Sequence, residues 1–506
     1  MRKNIKRVFC LSVLICLVLN LLSLTVLANE ATKGDVNNDG VISLDDARMV
    51  LGSVSKLQVL PDDAFLRGDF DSDGELSFSD VRGIMRESID LPPERALMEK
   101  FTQLTPKKSN DGITKKSQFC MVLKDYAETL SATEIDNKSN PLYSPLLAGT
   151  FDYVKEGPVK DKESGHEFYV LKSGRRVYAD TVDVFTGYNM PINNIELVEE
   201  TETYNAATRL YLKLDWRVPF NVTIKPQSYE TGYNSREYNI KDGKFTANYM
   251  DVVFYYSGNP LGTVSFDESE MLKGMKWIED TSKNTVTLRI YFQNTGDFMG
   301  YNVYYDENNY LVISIKEPSY SLSDRTILID PGHGGNQPGA GSGTGVYERD
   351  VTYKIALELK ALLEKKGVTV MFTRDDSKSV PEIEERRMDS YIINPDMFIS
   401  IHCDAADSKE RNGSSVYYYK NYSGPLAFAI SENLPKAVKE STGYAMKDAG
   451  AHFYPFLVTR IETCPSVLVE CGFISNANDF KIINSEKGRK AIAKGIYEGI
   501  LDYYSY

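Results

Sequence analysis

The chain has 506 residues, too many for one hydrophobic core, and its 42% hydrophobic and 25% charged content is that of globular protein. Its formal net charge is −13; without residues 1–28, which carry four basic and no acidic residues, 54 Lys and Arg face 71 Asp and Glu, a net of −17. So acidic a chain is not built for nucleic acid, nor for simple electrostatic capture by an anionic envelope.

Residues 1–28 open on the basic stretch "MRKNIKRVF", continue through the apolar "CLSVLICLVLNLLSLTV" and end on "VLA" before "NEA". Small residues at Val26 and Ala28 fit a cleavage site, so the segment reads as a secretory signal peptide, which makes the protein secreted, extracellular or cell-wall associated. An uncleaved anchor is the alternative, but no charged stop-transfer flank follows. No other segment approaches the roughly 18–20 apolar residues of a membrane helix, so no transmembrane segment is expected after cleavage. Cys10 and Cys16 leave with the signal. Cys120, Cys403, Cys464 and Cys471 remain, too few for a disulfide framework and without a C-x-x-C pair.

"GDVNNDGVISLDD" at 34–46 recurs as "GDFDSDGELSFSD" at 68–80, offset by 34 residues. Oxygen-bearing side chains fall at loop positions 1, 3, 5, 9 and 12. They are Asp35, Asn37, Asp39, Ser43 and Asp46 in one copy, and Asp69, Asp71, Asp73, Ser77 and Asp80 in the other. Gly40 and Gly74 stand at position 6, where a calcium loop turns sharply, and hard oxygens at alternating positions suit Ca²⁺. Asp-rich surface turns are the plainer alternative, but two copies in register favour two calcium sites. Position 12 is Asp rather than Glu, and one helical stretch follows each loop ("DARMVLGSV", "DVRGIMRESI").

On these residues, 32–92 resembles a type I dockerin, a small helical EF-hand-like module that plugs secreted enzymes into a cohesin domain of a scaffold protein. The resemblance implies a cohesin partner and a cellulosome-like complex acting in polysaccharide catabolism. In that family, loop positions 10 and 11 contact the cohesin. They are Leu44 and Asp45, then Phe78 and Ser79, where the family often has a matched Ser/Thr pair.

Residues 93–117 are polar, with prolines and a lysine cluster, and read as a short helix and then a linker. From 118 to 319 tyrosine becomes frequent, and "RLYLKLDW", "TVTLRIYF" and "YLVISIKE" read as alternating strands. This region is expected to be all β, as two modules over 118–200 and 201–319. "YVLKSGRRVYADTVDVF" (169–185) resembles a bacterial SH3-like strand pair. Tyrosines filling half-buried strand faces are the reading here, against wall binding by exposed rings. His166, in "KESGHEF", falls in a hairpin loop without an assigned role.

From 325 strands and helices alternate. "TILIDPG", "VTVMFTR", "DMFISIHCD", "SSVYYYK" and "SVLVECGF" are strands; "ERDVTYKIALELKALLEKKG", "PEIEERRMDSYIIN", 424–440 and 485–503 are helices. Val351, Ile355, Leu359 and Leu362 share one face of the first helix, with Gly367 as its stop. Near-continuous apolar strands between helices predict an α/β domain over 325–504, a mostly parallel sheet covered by helices on both faces.

Sites in such sheets form beyond the carboxyl ends of strands. His333 follows the first strand, His402 ends "MFISI", Glu470 ends "SVLV" and Glu348 opens the first helix. Two imidazoles and a carboxylate make a three-ligand Zn²⁺ site with a fourth position open to water, leaving Glu470 to move protons. The alternatives are hydrogen-bonded structural histidines and a helix-dipole glutamate. The loop "GHGGNQPGAGSGTG" is no nucleotide cradle: it lacks Lys-Ser/Thr and the spacing G-x-G-x-x-G.

"TILIDPGHGG", "ERDVTY", "TRDD", "FISIHCDA" and "PSVLVECGFISN" occur in the order and spacing of the zinc-dependent N-acetylmuramoyl-L-alanine amidases, which this part of the chain resembles. The resemblance implies that His333, Glu348 and His402 bind zinc, that Glu470 is catalytic, and that the substrate is peptidoglycan, cut between the muramic lactyl group and L-Ala. Where that family has His-Ala-Asn, this chain has His402-Cys403-Asp404. Arg386 stands where the family has an arginine and is expected in a buried ion pair. His452, in "AHFYPF", is expected on a loop near the cleft and is a candidate for substrate contact. Cys403 and Cys471 should face away from the site into the core, as thiols. A zinc peptidase cutting the peptide stem, and a non-catalytic wall-binding component of a cellulosome-like complex, are the competing readings.

Overall fold

The structure, a computed structural model, describes residues 32–54, 59–84 and 116–505, less short interruptions of which 132–143 and 226–239 are the longest. The signal segment 1–28, nearly all of the linker 93–117, and Asp39, Ser43, Asp71, Asp73, Ser77, Phe78 and Ser79 lie outside the described residues. The chain divides into two compact units, 1–91 and 92–506. No helix among the described residues is long and apolar enough to cross a membrane.

In the first unit the helices Leu44–Val54 and Asp62–Gly68 bury Ala47, Val50 and Ala64. The 34-residue repeat is visible in its hydrogen bonds. Gly40 N donates to Asp35 Oδ2 at 2.9 Å, and Gly74 N to Asp69 Oδ2 at 3.0 Å. The position-12 carboxylates also accept from their loops, though from donors one position apart: Asp46 Oδ1 from Asn37 N at 2.9 Å, and Asp80 Oδ1 from Phe70 N at 2.6 Å. Both glycines have left-handed backbone, φ +92 and +89, which only glycine adopts freely.

The second unit begins with a six-stranded sheet built between Lys116 and Tyr188. The strand Asn193–Tyr204 then starts a five-stranded sheet that faces a four-stranded one around Leu210, Val252, Leu288 and Ile313. Thr285–Phe292 alternates cleanly between the core and partial exposure. Leu311–Lys316 does not alternate as the sequence suggested: all six residues are buried. It lies between two strands of its sheet, and Lys316 Nζ reaches into the α/β domain to donate to Asn394 O at 3.1 Å. Tyr422 of that domain in turn packs edge-on against Phe298, ring centroids 5.0 Å apart.

The α/β domain comprises β1 (Thr326–Pro331), α1 (Glu348–Glu364), β2 (Thr369–Phe372), α2 (Ile383–Ile393) and β3 (Met397–Asp404). It continues with β4 (Ser414–Tyr418), α3 (Gly424–Thr442), β5 (Asp448–Phe453), β6 (Ser466–Phe473), α4 (Ala477–Asn484) and α5 (Glu486–Ser505). The sheet order is β2-β1-β3-β6-β4-β5. β1 pairs parallel with β2 and β3, and β3 parallel with β6; β4 pairs parallel with β5 but antiparallel with β6. The apolar runs Ile327–Ile329, Met397–Ile401 and Val467–Val469 are buried on both faces, as central strands require.

Three details differ from the sequence reading. The fourth inward residue of α1 is Leu363, fully buried and four residues on from Leu359, while Leu362 is half-buried. β6 runs three residues past Glu470 and β3 two past His402, so neither residue ends its strand. Neither α4 nor β5, which replaces the loop expected around His452, was foreseen; the Asn476 side chain caps α4, accepting from Asn478 N and Asp479 N.

Candidate active site

The site is built at the carboxyl end of β1. Asp330, fully buried, accepts from Thr373 Oγ1 at 2.6 Å, Ser400 Oγ at 2.7 Å and Arg386 Nη1 at 2.5 Å. Burial opposes its ionisation, but the Arg386 guanidinium and the two hydroxyls outweigh that and hold it at about 2. Arg386, on α2, passes the constraint on: its Nη2 donates to His333 O at 2.8 Å. His333 itself has φ +61, a left-handed conformation held from outside by this grip.

Four groups meet beyond the turn. Glu348, first residue of α1 and 4% exposed, lies with Oε2 3.1 Å from His333 Nε2 and Oε1 2.9 Å from His402 Nδ1. Cys403 N donates to Oε1 at 2.9 Å and Ala340 N to Oε2 at 3.0 Å. Burial works against its charge, yet the two imidazoles overcome it and hold the carboxyl far below the ordinary range. One ligand atom from each of His333, Glu348 and His402 lies within 4.8 Å of the others, the one such group among the described residues.

Glu470 stands opposite His402 in the β3–β6 register. Its Oε2 is buried with no hydrogen-bond partner. Burial first, then the charges of Glu348 and Asp404, push its carboxyl well above the ordinary value. A Cβ on Gly332 would lie 2.4 Å from the His402 ring, and one on Gly339 2.6 Å from both Glu348 Oε2 and the His333 ring, so the cradle closes only around glycine. Two imidazoles, an ionised carboxylate and an orphaned buried carboxylate oxygen are a donor set that fits a divalent cation of zinc's preferences.

The sequence missed the residues that support this cradle. Arg374, fully buried in the quoted "TRDD", donates to Pro331 O and Arg349 O, both at 2.8 Å, and so ties β1 to α1. Asp330, Thr373 and Ser400 were equally silent. Arg386 makes the buried ion pair foreseen for it. Cys403 and Cys471 are buried free thiols in the core, on neighbouring strands. His452 lies two strands from Glu470, its ring 5.5 Å from that of Tyr417. His166 is exposed, against Tyr178. Of the calcium candidates, the described Asp35, Asn37, Asp46, Asp69 and Asp80 lie in the first unit and make the repeated bonds given above.

An α/β sheet with such a group at its strand ends can polarise a carbonyl and move a proton, the needs of amide hydrolysis. Residues 327–502 match the family model described as N-acetylmuramoyl-L-alanine amidase. The probable cell wall amidase LytH of Staphylococcus saprophyticus is 36% identical over 233 residues, 46% of this chain and 72% of that one. LytH of Staphylococcus aureus is 33% identical over 234 residues, again 46% and 72%. The N-acetylmuramoyl-L-alanine amidase AmiC2 of Nostoc punctiforme is 32% identical, covering 36% of this chain and 98% of its own, with a TM-score of 0.33. The chain belongs to the N-acetylmuramoyl-L-alanine amidase family.

Proposed function

We propose that the protein is a secreted, zinc-dependent amidase that hydrolyses the amide between the lactyl group of muramic acid and the L-Ala of the peptidoglycan stem. The observation that carries this reading is the convergence of His333, Glu348 and His402 beside the orphaned carboxylate of Glu470. His333, Glu348 and His402 would hold zinc, which when bound supplies Lewis acidity toward the scissile carbonyl and acidifies water. Glu470 takes the proton of the attacking water as its oxygen joins the lactyl carbon. It then gives that proton to the L-Ala nitrogen as the C–N bond breaks, leaving a carboxylate and a free amine.

Residues 32–92 are in this reading a dockerin-like module holding two structural Ca²⁺ ions and docking on a cohesin, which would place the enzyme in a cellulosome-like complex. Support comes from the repeated loop hydrogen bonds and the positive-φ glycines at position 6 of each loop.

The test uses residues 29–506 with purified peptidoglycan, with and without a zinc chelator, and identifies the newly exposed N-terminal amino acid. Chelator-sensitive appearance of L-Ala amino groups is the expected result. D-amino acid or diamino-acid termini would replace the reading with a stem peptidase, and no new amines would remove the enzyme from it.

A further inference from the structure

Beyond Glu470 the molecule opens into a cavity of about 590 Å³. Its walls include Arg411, Ser415, Tyr417, Lys447, His452 and Phe473, with Glu410 as the acidic residue among them. The sheet fixes where this cavity lies. β3 carries His402, β6 carries Glu470, and the next strands outward, β4 and β5, carry Ser415, Tyr417 and His452. Ser415 is the register partner of Glu470, and Phe473 is three residues along the same strand. Burial raises the Tyr417 phenol, and the charges of Glu470 and Asp404 raise it further, so ring and carboxylate share one neighbourhood. Along the sheet edge the cavity therefore follows the metal-ligand group and Glu470.

That order assigns the substrate a direction. A residue that protonates the leaving nitrogen stands beside it, so what the nitrogen carries continues past Glu470, away from His333 and His402. The charge of the wall says what it accepts. The Arg411 guanidinium lies over the Phe473 ring, 5.2 Å from its centre, and Lys447 is exposed on the same wall. Neither forms a salt bridge with a carboxylate among the described residues, although the charges of Arg411 and Asp404 interact at longer range. The glycan arm offers hydroxyls and acetamides; the peptide arm offers carboxylates.

We propose that this cavity is the subsite for the peptide arm, with Arg411 and Lys447 receiving a stem carboxylate and the Tyr417 and His452 rings flanking the peptide. The inference rests on the amidase reading and adds to it a preference among stems.

The test compares two soluble muramoyl peptides identical except at the second stem residue, whose carboxylate is free in one and a primary amide in the other. The amide keeps the shape and loses the charge. Wild-type protein is expected to favour the acid by on the order of tenfold in kcat/KM, the scale of a charge-assisted hydrogen bond. Arg411→Gln is expected to bring the acid-to-amide ratio toward one, and Lys447→Gln to lower it. Binding of the released dipeptide acid and amide to Glu470→Gln protein, followed by calorimetry, reads the cavity without turnover, and Arg411→Gln added to that background should erase the preference there too. Equal rates on acid and amide in the wild type would overturn the subsite, as would an Arg411→Gln ratio unchanged from it. A wild type that frees no L-Ala amine from either compound would instead strike the amidase reading, while the dipeptide titration still decides the cavity.

Discussion

At Asp330 three donors converge on one buried carboxylate, and one of them, Arg386, also holds the carbonyl of His333. The aspartate thus sets the position of an imidazole three residues away without touching it. Its depressed pKa gives the sign of a pH effect. Folded near 2 and unfolded near the usual ~3.9, it stabilises the fold fully above the unfolded value and loses that contribution as pH falls from about 4 to 2, on the order of 2–3 kcal/mol. Asp330→Asn should flatten this acid window and, with the Arg386 charge left buried, cost about 3–5 kcal/mol at neutral pH. Hydrogen exchange of the β1 and β3 amides at pH 7 and pH 3 checks both. At Glu470 the expectation is chemical. Glu470→Gln keeps the shape and removes the proton carrier, so turnover should fall by on the order of 10²–10⁴-fold while bound zinc, measured by metal analysis, stays. Full activity in that variant would remove Glu470 from the mechanism.

At the scale of elements, α2 carries two adjacent arginines with different tasks. Arg386 turns to the His333 loop; Arg387 ion-pairs with Glu128 of the first β sheet region and lies 3.4 Å from Glu462. Arg460, from the turn before β6, reaches the same Glu128 at 2.9 Å. The β region is therefore fastened to the helix that holds the His333 turn. Glu128→Gln should weaken this fastening by about 2 kcal/mol, a hydrogen bond to a charged group, and so speed α2 amide exchange roughly thirtyfold. Unchanged exchange would mean that Glu462 alone suffices. The alternation of elements after residue 325 was legible because buried strands read as apolar runs and α1 repeats Val351, Ile355 and Leu359 at helical spacing. The four groups of the site were legible because His333, His402 and Glu470 each follow an apolar run and Glu348 opens a helix. Glu128 was not, nor Arg374, because their partners are distant side chains and backbone carbonyls, which no local period records. Leu311–Lys316 misled because burial on both faces came from a neighbour in space.

For the whole molecule, the first unit poses a problem of charge. Asp35, Asp46, Asp69 and Asp80 are each no more than 9% exposed in a unit whose described helices bury only a handful of apolar side chains. Burying a carboxylate costs free energy unless its charge is met, and so small a core has little stability to spare. On the proposed dockerin-like reading, two Ca²⁺ ions would add to the contacts these carboxylates already make, with the loop glycines providing the turns. The amidase domain has a core of its own, around Ile329, Ile399 and Val469, in the other unit. A calcium-selective chelator should therefore abolish amide protection across 32–84, leave 116–505 protected, and leave L-Ala release at its starting rate. Calcium added back should restore the first unit. Persistent protection of 32–84 in the chelator would show that the repeats fold without the ion, and loss of amidase turnover alongside would show that the two units depend on each other.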